Sequence, residues 1–163
     1  MLLAPHILTG AAIAVQFSNP FAGMLFAFLS HFVLDSIPHW EYSIEPLKQI
    51  KKRGVLYVRP ILYRVLLDMT MGFVVVILAM AYSGKHISLD VAIFGGFFAA
   101  LPDGLTFLLF LSPKNRLIRV PLYVIYAIHR KLHFNKEKGL PPMRIGLTTQ
   151  AIVSLLALYF LIF

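Results

Sequence analysis

Eight ionisable residues, His6, His31, Asp35, His39, Asp68, Asp103, His129 and His133, lie inside or at the ends of long apolar segments. Such side chains are costly at membrane depth unless they meet a partner, a water-filled cavity or a metal ion. All eight are Asp or His and none is Lys, which reads as the ligand shell of a polyvalent cation. His31-Phe-Val-Leu-Asp35 is an i, i+4 pair, so both side chains leave one helix face and can hold one cation; the alternative is a His–Asp hydrogen bond that packs two helices. His129-Arg-Lys-Leu-His133 repeats that geometry with two imidazoles, a strong ligand unit once a carboxylate completes it. Its alternative is a basic interfacial helix with Arg130 and Lys131 among lipid headgroups; beside a metal, the same two cations can hold a phosphate.

The carboxylates differ in how well they suit a ligand role. Asp103, in Leu101-Pro-Asp-Gly104, has no basic neighbour and follows a proline that frees a backbone carbonyl one turn earlier, so it is the strongest carboxylate candidate. Asp68 is four residues after Arg64, so it can be a ligand, a general base or half of an intrahelical ion pair. His6 stands near the start of its apolar run. His39, beyond Pro38 and beside Trp40, is expected to turn away or to anchor at the interface. Glu41 and Glu45 read as solvated, and His86 and Asp90 as remote from the cluster.

The donor set narrows the chemistry. There is no cysteine, which excludes thiolate sites and disulfides. No glycine-rich phosphate loop, serine nucleophile elbow or His-Glu-x-x-His motif is present. His and Asp ligands alone suit zinc, manganese, magnesium or iron, and exclude soft copper(I).

The elements that must position these residues follow from composition. The 163 residues are 59% hydrophobic with mean hydropathy +0.79, and only 13% are charged, about half the share of a soluble domain. No single soluble core of this size hides that much apolar surface, so the solvent is a bilayer. The expectation is one all-α domain over 1–163, a polytopic membrane helix bundle with about five spans plus one interfacial or re-entrant helix. The spans start near Leu3, run over Phe21 to Ile37, Pro60 to Ser83 and Ser88 to Leu111, and end with Met143 to Phe163. The segment from Pro121 to Phe134 is too short to cross. The N-terminus lacks a basic region and its apolar run continues into a second helix, unlike a cleaved signal peptide.

Net charge is +8, but the Lys and Arg gather in loops, chiefly 48–59, 113–119 and 130–144, where topology and anionic headgroups account for them. No nucleic-acid partner is therefore expected. The positive-inside rule puts those loops and the N-terminus in the cytoplasm. All eight residues then fall at a similar depth in the cytoplasmic half, which hydropathy alone does not require.

Ala99-Ala-Leu-Pro-Asp-Gly104 followed by His129-Arg-Lys-Leu-His133 resembles the Leu-Pro-Asp and His-Arg…His elements of a family of small bacterial inner-membrane proteins. These are the LexA-regulated metal-dependent hydrolases, related in pattern to zinc-dependent phospholipase C. Ser30-His-Phe-Val-Leu-Asp-Ser-Ile-Pro-His39 is similar to a stretch common in that wider group. The chain departs from the pattern twice. Asp103-Gly104-Leu105 stands where Asp-x-Asp is usual, and His129 to Phe134 lacks the Gly, Thr and Ser of His-Arg-Gly-x-Thr-His-Ser. The resemblance implies a multi-pass bacterial inner-membrane protein, with zinc the leading metal.

Together these readings predict a metal-dependent hydrolase acting on a lipid phosphoester at the cytoplasmic leaflet. The expected ligands are His6, His31, Asp35, Asp103, His129 and His133; Asp68 is the expected general base and Arg130 the phosphate-binding cation. Membrane lipids are the expected partners, and the oligomeric state is open. Two alternatives stand beside this: a transporter for divalent cations or protons, and a non-catalytic membrane protein with a structural metal.

Overall fold

The computed structural model describes residues 1–43, 45–84, 88–111, 115–134 and 141–163. His86, part of the outer link, and portions of two basic loops lie outside the described residues. The described residues are all helix and connecting segment: α1 (Leu3–Ala14), α2 (Pro20–Asp35), α3 (Glu45–Lys48), α4 (Ile50–Arg53), α5 (Val55–Ser83), α6 (Leu89–Leu111), α7 (Arg116–Leu132) and α8 (Met143–Ile162).

Three helices, α5, α6 and α8, are long and apolar enough to cross a membrane. They hold 29, 23 and 20 residues against a requirement of about 20. The two expected N-terminal spans are shorter: α1 has 12 residues and α2 has 16. At 1.5 Å per residue α1 extends about 18 Å, well short of a ~30 Å hydrocarbon core. It packs instead against α2, α5, α6 and α8 at once, and Ile7, Ala11 and Ala14 are fully buried. An apolar stretch of this length is the hallmark of a helix inside a bundle rather than one facing lipid. The turn between α1 and α2 follows the sequence signal. Asn19 caps α2 by accepting from the Phe21 amide at 2.9 Å, with Pro20 in the first turn.

Two helices carry a proline inside them, and one of the two starts earlier than its proline suggests. α5 begins at Val55 after Gly54, whose φ of +78° only glycine adopts without strain, and Pro60 is carried inside the helix. α6 continues through Pro102 to Leu111. Close packing of α1 on α6 depends on small residues. A Cβ on Gly10 would collide with the Ala99 methyl and the Gly95 carbonyl, so the two backbones touch where a larger side chain would separate them.

α7 has one side facing the bundle and two facing out. His129 is its buried residue, and Leu117, Val124, Ile128 and Leu132 are exposed on an apolar stripe. Arg116, Arg119 and Arg130 follow at i, i+3 and i+14, on a separate basic stripe. It packs against α2 and α6, at the end of α2 where Asp35 stands.

Candidate metal centre

Each element delivers its side chain through an identifiable contact. The His31 ring donates Nδ1–H to the Ala99 carbonyl at 2.8 Å, in the α6 turn before Pro102. A carbonyl only accepts, so the proton sits on Nδ1 and the lone pair of Nε2 points away from it. His39 is set the same way: its Nδ1 donates to the Ile37 carbonyl at 2.7 Å. The segment carrying His39 is fastened to α8. Thr149 donates to the Pro38 carbonyl at 2.5 Å and Gln150 to the Trp40 carbonyl at 3.1 Å. The Phe134 amide donates to the Asp35 carbonyl at 2.8 Å, which ties the end of α7 to the end of α2 and brings His133 with it.

Asp35 is the hub and is essentially fully buried. Its Oδ1 takes the Met1 amino group at 2.8 Å and faces His6 Nε2 at 3.2 Å. Its Oδ2 faces His129 Nε2 at 2.6 Å and His31 Nε2 at 3.3 Å. His39 and His133 follow, each with Nε2 3.9 Å from an Asp35 oxygen. Asp103 Oδ1 lies 3.8 Å from both His31 Nε2 and His129 Nε2. The His6 and His31 rings stack with centroids 4.1 Å apart.

The expected ligands His6, His31, Asp35, Asp103, His129 and His133 thus stand together, from α1, α2, α6 and the end of α7. They do not form one shell. Three sets have donor atoms within 4.8 Å of one another: His6, His31 and Asp103; His31, Asp35 and His129; and Asp35, His39 and His133. Two ligand atoms about 2.0–2.2 Å from one tetrahedral ion lie roughly 3.3–3.6 Å apart. His31 Nε2 to His129 Nε2 is 3.4 Å and His31 Nε2 to Asp35 Oδ2 is 3.3 Å, so two sides of the middle set have the span of a ligand shell, while the third, His129 Nε2 to Asp35 Oδ2 at 2.6 Å, is a hydrogen bond that an ion would have to open. The mixture of imidazole nitrogen and carboxylate oxygen suits zinc, manganese or iron.

Sharing limits how many ions the sets can hold. His31 has one lone pair, because its other nitrogen is committed to Ala99. It can serve either of its two sets but not both. Asp35 has two oxygens and can join two ions. At most two of the three sets can therefore be filled at once, and Asp35 is the bridge when they are the second and third.

Three residues depart from their expected places. Glu41, expected in solvent, turns inward: its Oε2 is 3.2 Å from His133 Nε2 and 3.8 Å from His39 Nε2. Burial opposes its ionisation, but hydrogen bonding with His133 and His39 and the nearby amino group outweigh this and hold the carboxyl well below the usual carboxylate range. His39 also joins the cluster rather than turning away at Pro38. Their positions, four and six residues after Asp35, were the signal available, and Pro38 obscured it. Asp68 goes elsewhere. Its oxygens accept from the Leu3 amide at 2.6 Å and the Ala4 amide at 3.2 Å, so it caps the N-terminus of α1 from a neighbouring helix.

The centre opens into a cavity of about 730 Å³ lined by Asp35, Glu41, Asp103, His129, Arg130 and His133 among others. The Asp103 side chain is 35% exposed toward this space, whereas that of Asp35 is 1% exposed. Arg130, the expected phosphate-binding residue, stands on the cavity wall beside His129. No family model, curated protein or solved structure matches this chain, so its function has to be read from this geometry.

Proposed function

We propose that the protein is a membrane-embedded metal-dependent hydrolase of phosphoesters presented at the cytoplasmic leaflet, in keeping with its resemblance to the LexA-regulated hydrolases. The observation that carries this reading is the convergence of five imidazoles and two further carboxylates around Asp35, beside a cavity that holds an arginine. A proton relay needs donors in series leading across the membrane. Here the donors close on one another and open sideways to a cavity.

A divalent ion in these sets would polarise the phosphoryl oxygen and make bound water acidic enough to attack near neutral pH. The remaining work falls to the chain. Arg130 offers a planar, permanently charged donor fork that orients a phosphate without competing for the metal. Glu41 and Glu45 are the cavity-lining carboxylates outside the three ligand sets, and Glu41, which also holds His133, takes the role the sequence reading gave to Asp68. It receives the proton of the attacking water. The water oxygen bonds to phosphorus, the bond from phosphorus to the leaving alcohol breaks, and that alcohol oxygen takes up the proton that Glu41 received.

The test is metal analysis of purified protein together with hydrolysis of phospholipids in mixed micelles. Bound zinc, manganese or iron with metal-dependent phosphate or phosphoalcohol release is expected. Arg130→Ala should lower turnover at least tenfold with metal content unchanged. Metal without hydrolysis of any phosphoester, combined with cation flux into proteoliposomes, would replace this reading by transport. Metal with neither activity would leave a structural ion.

A further inference from the structure

The cavity has two chemically different ends. Toward α3 and α7 it carries its charged residues, Glu41, Lys48 and Arg130, set among Leu47, Phe107 and Phe110; at the metal centre it is lined by Asp35 and Asp103. Beyond Asp103 it continues as an apolar arm between Val65, Met69 and Phe73 on α5 and Phe97 and Ala100 on α6. Val65, Met69 and Phe73 recur at i, i+4 and i+8, so they form one stripe along α5. Phe97 lies six residues before Asp103, so the arm extends about 9 Å past the ligands along α6.

The gap exists because α1 wedges between α5 and α6, each of which packs against α1 more than against the other. Phe97 is 49% exposed at the rim, so the arm opens at the side of the helix bundle. Gly104, one residue from the ligand Asp103, widens it: a Cβ there would meet nothing within 4 Å. Charged groups at one end, ligands in the middle and an apolar trough beyond them repeat the order of chemistry along a membrane lipid.

We infer that the trough between α5 and α6 is an acyl-chain slot, so that the substrate is a phospholipid entering sideways from the bilayer with one chain lying along Val65, Met69 and Phe73. The occupant is a lipid rather than an apolar helix because the trough is continuous with the metal centre and is capped by Arg130, the cation that suits a phosphate. The headgroup end of this inference rests on the hydrolase reading; the chain end does not.

The experiment uses phosphatidylglycerol with a photoreactive diazirine midway along one acyl chain, in nanodiscs with the full-length protein. Irradiation and peptide mapping should place adducts on Met69, Phe73, Phe97 or Ala100. Met69→Trp and Gly104→Leu, which fill the slot from opposite walls, should each cut slot adducts at least fivefold. They should also lower the ratio of long-chain to dibutyryl-lipid turnover at least tenfold. Adducts spread over lipid-facing residues such as Leu66, Leu78 and Leu155, with neither variant altering the pattern, would overturn the slot. Slot adducts with no hydrolysis in the wild type would support the slot while removing the hydrolase reading. If one variant fails to accumulate, the other decides.

Discussion

Replacing Asp35 by Asn tests the shared-ligand geometry most directly. Asp35 belongs to two of the three ligand sets, Asp103 to one. An amide keeps one oxygen, loses the charge, and puts a donor where His129 Nε2 stands 2.6 Å away or where the Met1 amino group stands 2.8 Å away. Wild-type protein should bind at most two ions, since His31 Nε2 cannot enter two sets. In Asp35→Asn only the set of His6, His31 and Asp103 is untouched, so occupancy should fall to one ion or fewer. In Asp103→Asn the two sets joined by Asp35 remain, so two ions should stay bound. The metal-free protein should also lose stability in Asp35→Asn, because a buried charge that faces an amino group and several imidazoles is removed. Breaking such an arrangement costs roughly 3–5 kcal/mol, on the order of a 6–20 °C fall in melting temperature for a chain of this length. The assay is elemental analysis per protein concentration after dialysis against a weak chelator, with differential scanning fluorimetry in detergent alongside. Three ions in the wild type, or equal losses in the two variants, would refute the bridging role of Asp35.

Three other outcomes follow from the same geometry. Glu41→Gln leaves His133 without its 3.2 Å carboxylate partner and should reduce metal affinity or turnover about 10–100-fold, read by chelator competition and phosphate release; no change in either would return Glu41 to solvent. Asp68→Ala should destabilise the fold by about 0.5–2 kcal/mol through the lost cap on α1 while leaving metal content intact, measured by thermal unfolding and elemental analysis; loss of metal with unchanged stability would restore Asp68 to the centre. Gly146→Leu should remove one bound ion without touching a ligand, because a side chain there meets the His39 carbonyl carbon within 2.8 Å and pushes His39 out of its set; full occupancy in well-folded protein would show that His39 is dispensable.

The sequence by itself determined the helical class, the presence of helices long and apolar enough to cross a membrane, and most of the residues that gather around Asp35. Apolar run length and charge placement follow from the solvent each residue meets, so they are legible one segment at a time. The pairs His31 with Asp35 and His129 with His133 were equally legible, since an i, i+4 spacing puts two side chains on one face whatever the helix packs against. What the tertiary structure decided was everything that depends on two segments meeting. α1 is too short to span and is enclosed by four helices, so the five expected spans reduce to three helices of spanning length. Asp68 faces the amide end of α1 rather than the ligands, a consequence of where α1 docks on α5. Glu41 and His39 reach the centre because Thr149 and Gln150 of α8, more than a hundred residues away, hold the 38–40 backbone in place. No local spacing encodes that contact, because its cause is the fit between α8 and a loop whose direction Pro38 alone leaves undetermined.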